Sequence, residues 1–143
     1  MSQQLEVLIA IQARSNSARF PKKIYEMIGD RPVLQHVIDQ AKSTAEHLTK
    51  YSNKVKVRCQ VAVLHPDGDN ELVKTFRGSG AILMAGPEHD VLTRFVTAQR
   101  LTDCDFVVRL TSDCPLILDY VIAKHINVAC HNLFDYVSNV EET

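Results

Sequence analysis

The chain has 143 residues, 45% of them hydrophobic, which suits one soluble globular domain and argues against disorder. Sixteen basic residues stand against seventeen acidic ones, a net charge of -1, which removes any bulk electrostatic case for nucleic acid or a membrane surface. No apolar run approaches the roughly 20 residues of a bilayer span, the opening MSQQLEVLIAI lacks a basic n-region and a cleavage site, and Cys59, Cys104, Cys114 and Cys130 show no C-x2-C spacing, so a soluble protein of the reducing cytoplasm is expected.

Leu5 to Ile11 is interrupted only by Glu6 and reads as a strand buried on both faces of a parallel sheet. It runs into QARSNSARFPKK, where Arg14, Arg19, Lys22 and Lys23 gather four cations within ten residues. Two unit charges 6 Å apart repel by roughly 1 to 3 kcal/mol at effective dielectrics of about 80 down to 20, so such a loop calls for an anion. In GDRPVLQHVIDQAKS, Asp30 is a candidate cap, Pro32 suits a first helical turn, and Val33, Leu34, Val37, Ile38 and Ala41 recur at helical spacing. TAEHLTKYSNK, residues 44–54, reads as a polar connection. Val55 to Leu64 reads as the next strand, stopping at the turn-rich HPDGDN, and Glu71 to Arg77 as a short helix.

AILMAG is a further short strand. EHDVLTRFVTAQRL then places Val91, Leu92, Phe95, Ala98 and Leu101 on one helical face, with Asp90 and Arg94 spaced for an i,i+4 ion pair. FVVRL is a strand, Leu118 to Cys130 a helix with Val121, Ile122, Ile126 and Ala129 inward, and FDYVSNV a last strand. Strands alternating with helices predict a single α/β domain over residues 1–143, Rossmann-like and doubly wound on a mainly parallel sheet, whose ligand sits at the carboxyl ends of the strands.

The basic loop leaves the first strand at that end, yet it carries neither G-x-G-x-x-G nor G-x-x-x-x-G-K-[ST]. Ala13, Ser15, Asn16, Ser17 and Ala18 are small enough to let backbone N–H groups approach phosphate oxygens, with Arg14 and Lys23 supplying charge, so a triphosphate suits the loop. The residues alone leave a solvated loop with scattered cations equally open. Asp113 lies just past the end of FVVRL, where a carboxylate can hold Mg2+ against a nucleotide phosphate; an Asx turn before Pro115 is the other reading. Asp103 and Asp105 form a D-x-D at the opposite end of that strand and read as a solvated turn. The six histidines show no ligand spacing; most read as surface or helix-flank residues, and none takes a catalytic role.

IQARSNSARFPKK resembles the N-terminal signature of the sugar nucleotidyltransferases of nucleotide-diphospho-sugar transferase type. The likeness is to the cytidylyltransferases that make CMP-activated acidic sugars and their spore-coat polysaccharide relatives, with Arg14, Ser17, Arg19, Pro21 and Lys23 on the signature's positions and Lys22 where many members carry glycine. HPDGDNELVKTF, GPEHDVLTRF, VVRLTSDCPLI and DYVSN resemble further segments of that family in its order. The resemblance implies transfer of CMP from CTP to a sugar or sugar acid in polysaccharide or glycan biosynthesis. It implies Gln12, Ala13, Arg14, Ser15, Ser17, Arg19, Lys23, Asp90, Arg109 and Thr111 at the nucleotide, with Arg14 and Lys23 catalytic, and Asp113 on Mg2+. It also implies a homodimeric assembly and relatives that continue well past DYVSN, so the chain is expected to be short at its C-terminal side. Two rivals stand beside this reading: a glycosyltransferase holding its metal on Asp103 and Asp105, and a nucleotide-binding module without turnover. Charge pairing within the sheet is the alternative for Arg109.

Overall fold

A computed structural model describes residues 4–51 and 55–140. Strand β1 (Gln4–Gln12) is its centre, and Val7 to Ile11 are all essentially without solvent exposure. After a single 3₁₀ turn (Lys23–Tyr25) and a small hairpin, β2 (Met27–Ile28) with β3 (Arg31–Pro32), the chain enters α1 (Val33–Tyr51). There follow β4 (Lys56–Pro66), α2 (Asn70–Phe76), β5 (Ile82–Gly86), α3 (Val91–Thr102), β6 (Phe106–Thr111) and α4 (Asp119–Asn132).

The four long strands form one parallel sheet in the order β5-β4-β1-β6. The chain steps outward from β1 to β4 and β5, then returns past both to the far side of β1. The strand order therefore reverses between β1 and β6, which is where open α/β sheets leave a crevice for ligands. Period-two alternation divides the core between the faces. Val7, Ile9, Ile11, Val57, Val61 and Val63 meet α1, α2 and α4 on one side, while Leu8, Ala10, Ala62 and Leu64 meet Ala98 and Phe95 of α3 on the other. The expected doubly wound α/β architecture is present.

Several local expectations are corrected. Asp30 and Pro32 do not open α1; they belong to the β2–β3 hairpin, whose turn uses Gly29 at φ 65°, and the helix starts at Val33. Thr44 to Tyr51, expected as a connection, continues α1, because Ala41, Thr44 and Leu48 extend the buried stripe while Glu46 and His47 lie exposed on its outer side; residues 52–54 of that stretch fall outside the described ones. In α3, Leu92 and Leu101 are 73% and 72% exposed, since the buried face is centred on Arg94 and Ala98, with Leu92 on the opposite side of the helix and Leu101 in its last turn. In α4 the fully buried positions are Ile122, Ile126 and Cys130, with Val121 and Ala129 only half-buried at the margin.

The expected strand in FDYVSNV is not formed. Residues 134–140 have no paired neighbour among the described residues, Tyr136 is 83% exposed, and the segment lies beside β6 and α4 around a cavity of 370 Å³. Alternation in sequence predicts a strand only where another strand accepts its hydrogen bonds.

Candidate functional site

β1 ends at Gln12, and pairing continues one residue further through Ala13 N–H, which donates to the Leu64 carbonyl at 3.0 Å. The loop beyond is anchored at Ser15. Its backbone N–H donates to Asp69 Oδ2 at 2.8 Å, and its hydroxyl donates to Asp69 Oδ1 and lies within hydrogen-bond distance of the Tyr25 hydroxyl. Asp69 also caps α2, accepting from Leu72 N–H at 3.3 Å. One carboxylate thus ties the loop after β1 to the helix after β4. The loop closes on itself where Lys22 N–H donates to the Ser15 carbonyl at 2.9 Å. Burial raises the Tyr25 phenol above its ordinary pKa, and the Ser15 hydroxyl opposes that shift.

The four cations divide into two pairs. Lys22 sits in the left-handed region at φ 63°, reaches Glu71 in an ion pair and lies 5.7 Å from the centre of the Tyr25 ring. Lys23 reaches across to Asp113, Nζ to Oδ2 2.9 Å. Arg14 and Arg19 are exposed and make no ion pair among the described residues. The loop therefore keeps two uncommitted guanidinium groups on its solvent side.

Asp113 is delivered by β6, which pairs with β1 up to Thr111 opposite Gln12, and Ser112 N–H donates to the Gln12 carbonyl at 3.2 Å. Asp113 follows directly, on the next strand end to Ala13. The Lys23 ammonium and then the Thr111 hydroxyl hold its carboxyl below the usual carboxylate range, against the opposing effect of burial. No group of three or more His, Cys, Asp or Glu residues that could hold a metal occurs among the described residues. A single half-exposed carboxylate is a poor resident metal site. It fits Mg2+ that arrives with phosphate oxygens, since that ion often takes one or two carboxylates and fills the rest of its shell from substrate and water.

The structure gathers Gln12, Ala13, Arg14, Ser15, Lys23, Thr111 and Asp113 around the neighbouring ends of β1 and β6, with Ser17 and Arg19 in the loop that closes between Ser15 and Lys22. Two expected residues lie apart. Arg109 is exposed, two residues before the end of β6 on the face that Ala10 shares, and makes no ion pair among the described residues, so the expected alternative of charge pairing within the sheet is not found. Asp90 begins α3 beyond β5; both its oxygens accept from Thr93, from the backbone N–H at 2.9 Å and the hydroxyl at 2.6 Å, and these bonds lower its pKa. The expected Asp90–Arg94 ion pair is absent. Arg94 instead turns inward, 4% exposed, with Nη2 donating to the Glu88 carbonyl at 3.4 Å. Burial and then the nearby Arg14 pull its pKa down.

Asp103 and Asp105 lie at the amino end of β6. Asp105 exchanges hydrogen bonds with the Glu6 backbone at 2.8 Å in each direction, pinning the start of β6 to β1. His65 is the buried exception among the histidines: it lies at the end of β4, with Nδ1 2.9 Å from the Pro66 carbonyl. Sequence reasoning missed Asp69 and Tyr25. The turn-and-cap composition of HPDGDN signals a capping aspartate, but nothing local shows that it also holds Ser15, 54 residues earlier.

A family model described as cytidylyltransferase matches residues 8–142. The chain is 31% identical over 134 residues to an uncharacterized protein of Methanocaldococcus jannaschii, covering 94% of this chain and 51% of that protein. It is 30% identical over 130 residues to an 8-amino-3,8-dideoxy-manno-octulosonate cytidylyltransferase of a Shewanella species, covering 87% of this chain and 47% of that enzyme. Among solved structures, a cytidylyltransferase from Leptospira borgpetersenii superposes with a TM-score of 0.74 at 28% identity, over 90% of this chain and 50% of that one. The chain spans about half the length of the curated relatives it matches.

Proposed function

The chain belongs to the cytidylyltransferase family, and from that premise we propose that it takes part in transferring CMP from CTP to a sugar or sugar acid, with release of pyrophosphate, in polysaccharide or glycan biosynthesis. An acceptor oxygen attacks the α-phosphorus in line; the bond from that phosphorus to the bridging oxygen breaks, and pyrophosphate leaves with the electron pair. In such a reaction the protein contributes mainly position and charge neutralisation. Arg14, Arg19 and Lys23 would hold the triphosphate, with the loop's backbone N–H groups beside them. Asp113 would hold Mg2+, which when bound would supply charge neutralisation to the triphosphate. The acidic sugar named for the Shewanella relative supports a sugar acid as acceptor, and four unpaired cysteines fit a reducing compartment such as the cytoplasm. We read the 143 residues as a single domain.

The observation that carries this reading is the Lys23–Asp113 contact at 2.9 Å, which sets an ammonium suited to phosphate beside a carboxylate suited to a metal where the strand order reverses. The glycosyltransferase reading gains nothing, because Asp103 and Asp105 stand at the other end of the sheet, where Asp105 is engaged with β1 and Asp103 ends α3. The test is pyrophosphate release with CTP, Mg2+ and a panel of sugar acids. Release that depends on one acceptor, and is lost in Asp113→Asn, supports the proposal. Release that is indifferent to Asp113 places the metal elsewhere and rejects it.

A further inference from the structure

Arg94 is buried, yet its Nε and Nη1 have no hydrogen-bond partner. Idle donors on a buried guanidinium are costly unless a ligand completes them. Its position depends on Gly86, where a Cβ would lie 2.6 Å from Arg94 Cγ. Among the described residues one other buried side-chain oxygen or nitrogen lacks a partner, Gln12 Oε1. Both side chains belong to one layer of the molecule. Gln12 is two residues past Ala10 on β1, Arg94 is one turn before Ala98 on α3, and Ala10 and Ala98 pack in the same cluster. Both also lie at the carboxyl edge: Gln12 ends β1 and Gly86 ends β5, two places apart in the sheet or about 10 Å.

We propose that Gln12 and Arg94 read the nucleobase and select cytosine over uracil, an inference that rests on the cytidylyl-transfer reading of the neighbouring loop. The ligand has to offer a donor to Gln12 and acceptors to Arg94. A phosphate or carboxylate offers acceptors alone and would set an anion against the Gln12 carbonyl. Cytosine carries a donor and two acceptors along one edge: its 4-amino group donates to Gln12 Oε1, while N3 and O2 accept from the adjacent N–H groups of Arg94. Uracil places an N3–H in the middle of that edge. The Gln12 amide can rotate to donate to uracil O4, but the donor-against-donor conflict with Arg94 remains, and such conflicts discriminate more strongly than a missing apolar contact. The three atoms are closed to solvent in the folded chain, so the base enters by parting the exposed 87–90 turn from Arg94, which holds it by the one long bond to Glu88.

The test is calorimetry with CTP, UTP and inorganic tripolyphosphate. The wild-type chain should prefer CTP over UTP by about tenfold or more, the order expected of a bidentate base contact. Arg94→Met should bring the ratio of the two affinities close to one, a readout in which the shared triphosphate contribution cancels, whereas Gln12→Ala should weaken CTP and keep most of the preference, because the conflict of uracil N3–H with Arg94 remains. An unchanged ratio in Arg94→Met, or an unchanged CTP affinity in Gln12→Ala, with native circular dichroism, overturns the proposal. Should Arg94→Met fail to fold, the wild type decides: the assigned 15Nε resonance of Arg94 should shift on adding CMP and stay in place on adding tripolyphosphate. No response to CMP overturns base reading. Failure of tripolyphosphate to bind counts instead against the phosphate loop, and leaves the CMP response to decide the role of Arg94.

Discussion

Replacing Asp69 with alanine should damage both stability and the basic loop, because one carboxylate serves two elements. The substitution removes the acceptor for Ser15 N–H and for the Ser15 hydroxyl, and the N-cap of α2 at Leu72. Loss of an N-cap costs about 0.5 to 2 kcal/mol. Ser15 is 3% exposed, so its N–H has little water to turn to, and leaving a buried donor unpaired costs about 1 to 3 kcal/mol. The contributions share one side chain and are not independent, so the expected total is about 2 to 4 kcal/mol rather than their full sum. Urea unfolding followed by circular dichroism measures it, with Asp69→Asn as the companion. Asparagine can still cap α2 with its carbonyl oxygen, but its other atom then meets Ser15 N–H as a donor, so it should recover only part of the loss. A cost below about 0.5 kcal/mol for Asp69→Ala would refute the anchoring role, since surface substitutions away from such features fall in that range.

Three further outcomes follow from the same geometry. Lys22→Gly should change stability by less than about 1 kcal/mol, because relief of left-handed backbone strain is offset by the flexibility of glycine and the loss of the exposed Glu71 pair; thermal denaturation checks this, and a loss above about 2 kcal/mol would mean that Lys22 holds more than Glu71. A double-mutant cycle on Lys23 and Asp113 should give a coupling of about 0.2 to 1 kcal/mol at pH 7, the partners being 32% and 49% exposed. Because the folded pKa of Asp113 is depressed, that coupling is fully present above the unfolded carboxylate value of 3.8 and is lost as pH falls through the lower folded value, so a coupling that persisted at acid pH would contradict the assigned cause. Alkylation at pH 8, mapped by mass spectrometry, should modify exposed Cys114 first and spare Cys59, whose thiol burial pushes up to about 12; preferential labelling of Cys59 would mean that the β4 layer opens.

The parts of the molecule that were legible in the sequence are those where local pattern and long-range pairing agree. Leu5 to Ile11 is apolar on both faces, and a strand with that pattern belongs in the middle of a parallel sheet, where β1 lies. Spacing misled where it admitted two geometries. Asp90 and Arg94 are four apart, which suits an ion pair, but Thr93 offers Asp90 a backbone and a hydroxyl donor at the helix start, and Gly86 gives Arg94 space to turn inward. FDYVSNV has the alternation of a strand, but pairing is a property of two segments and its partner is not written in its own residues. The Ser15–Asp69 tie was invisible for the same reason: each residue is locally satisfied as a turn former, and only the fold brings them together.

The measurement that bears most directly on the central claim is calorimetric titration of the chain with CTP in the presence and absence of Mg2+. The account predicts binding that Mg2+ strengthens, with Lys23→Ala and Arg14→Ala each weakening it by about 1.5 to 3 kcal/mol, the worth of a charge-assisted hydrogen bond, and Lys22→Gly leaving it nearly unchanged because Glu71 already holds that ammonium. Affinity for CTP that survived both the Lys23 and the Arg14 substitutions in folded protein would show that the loop after β1 does not hold the triphosphate, and the assignment of the site would fall with it.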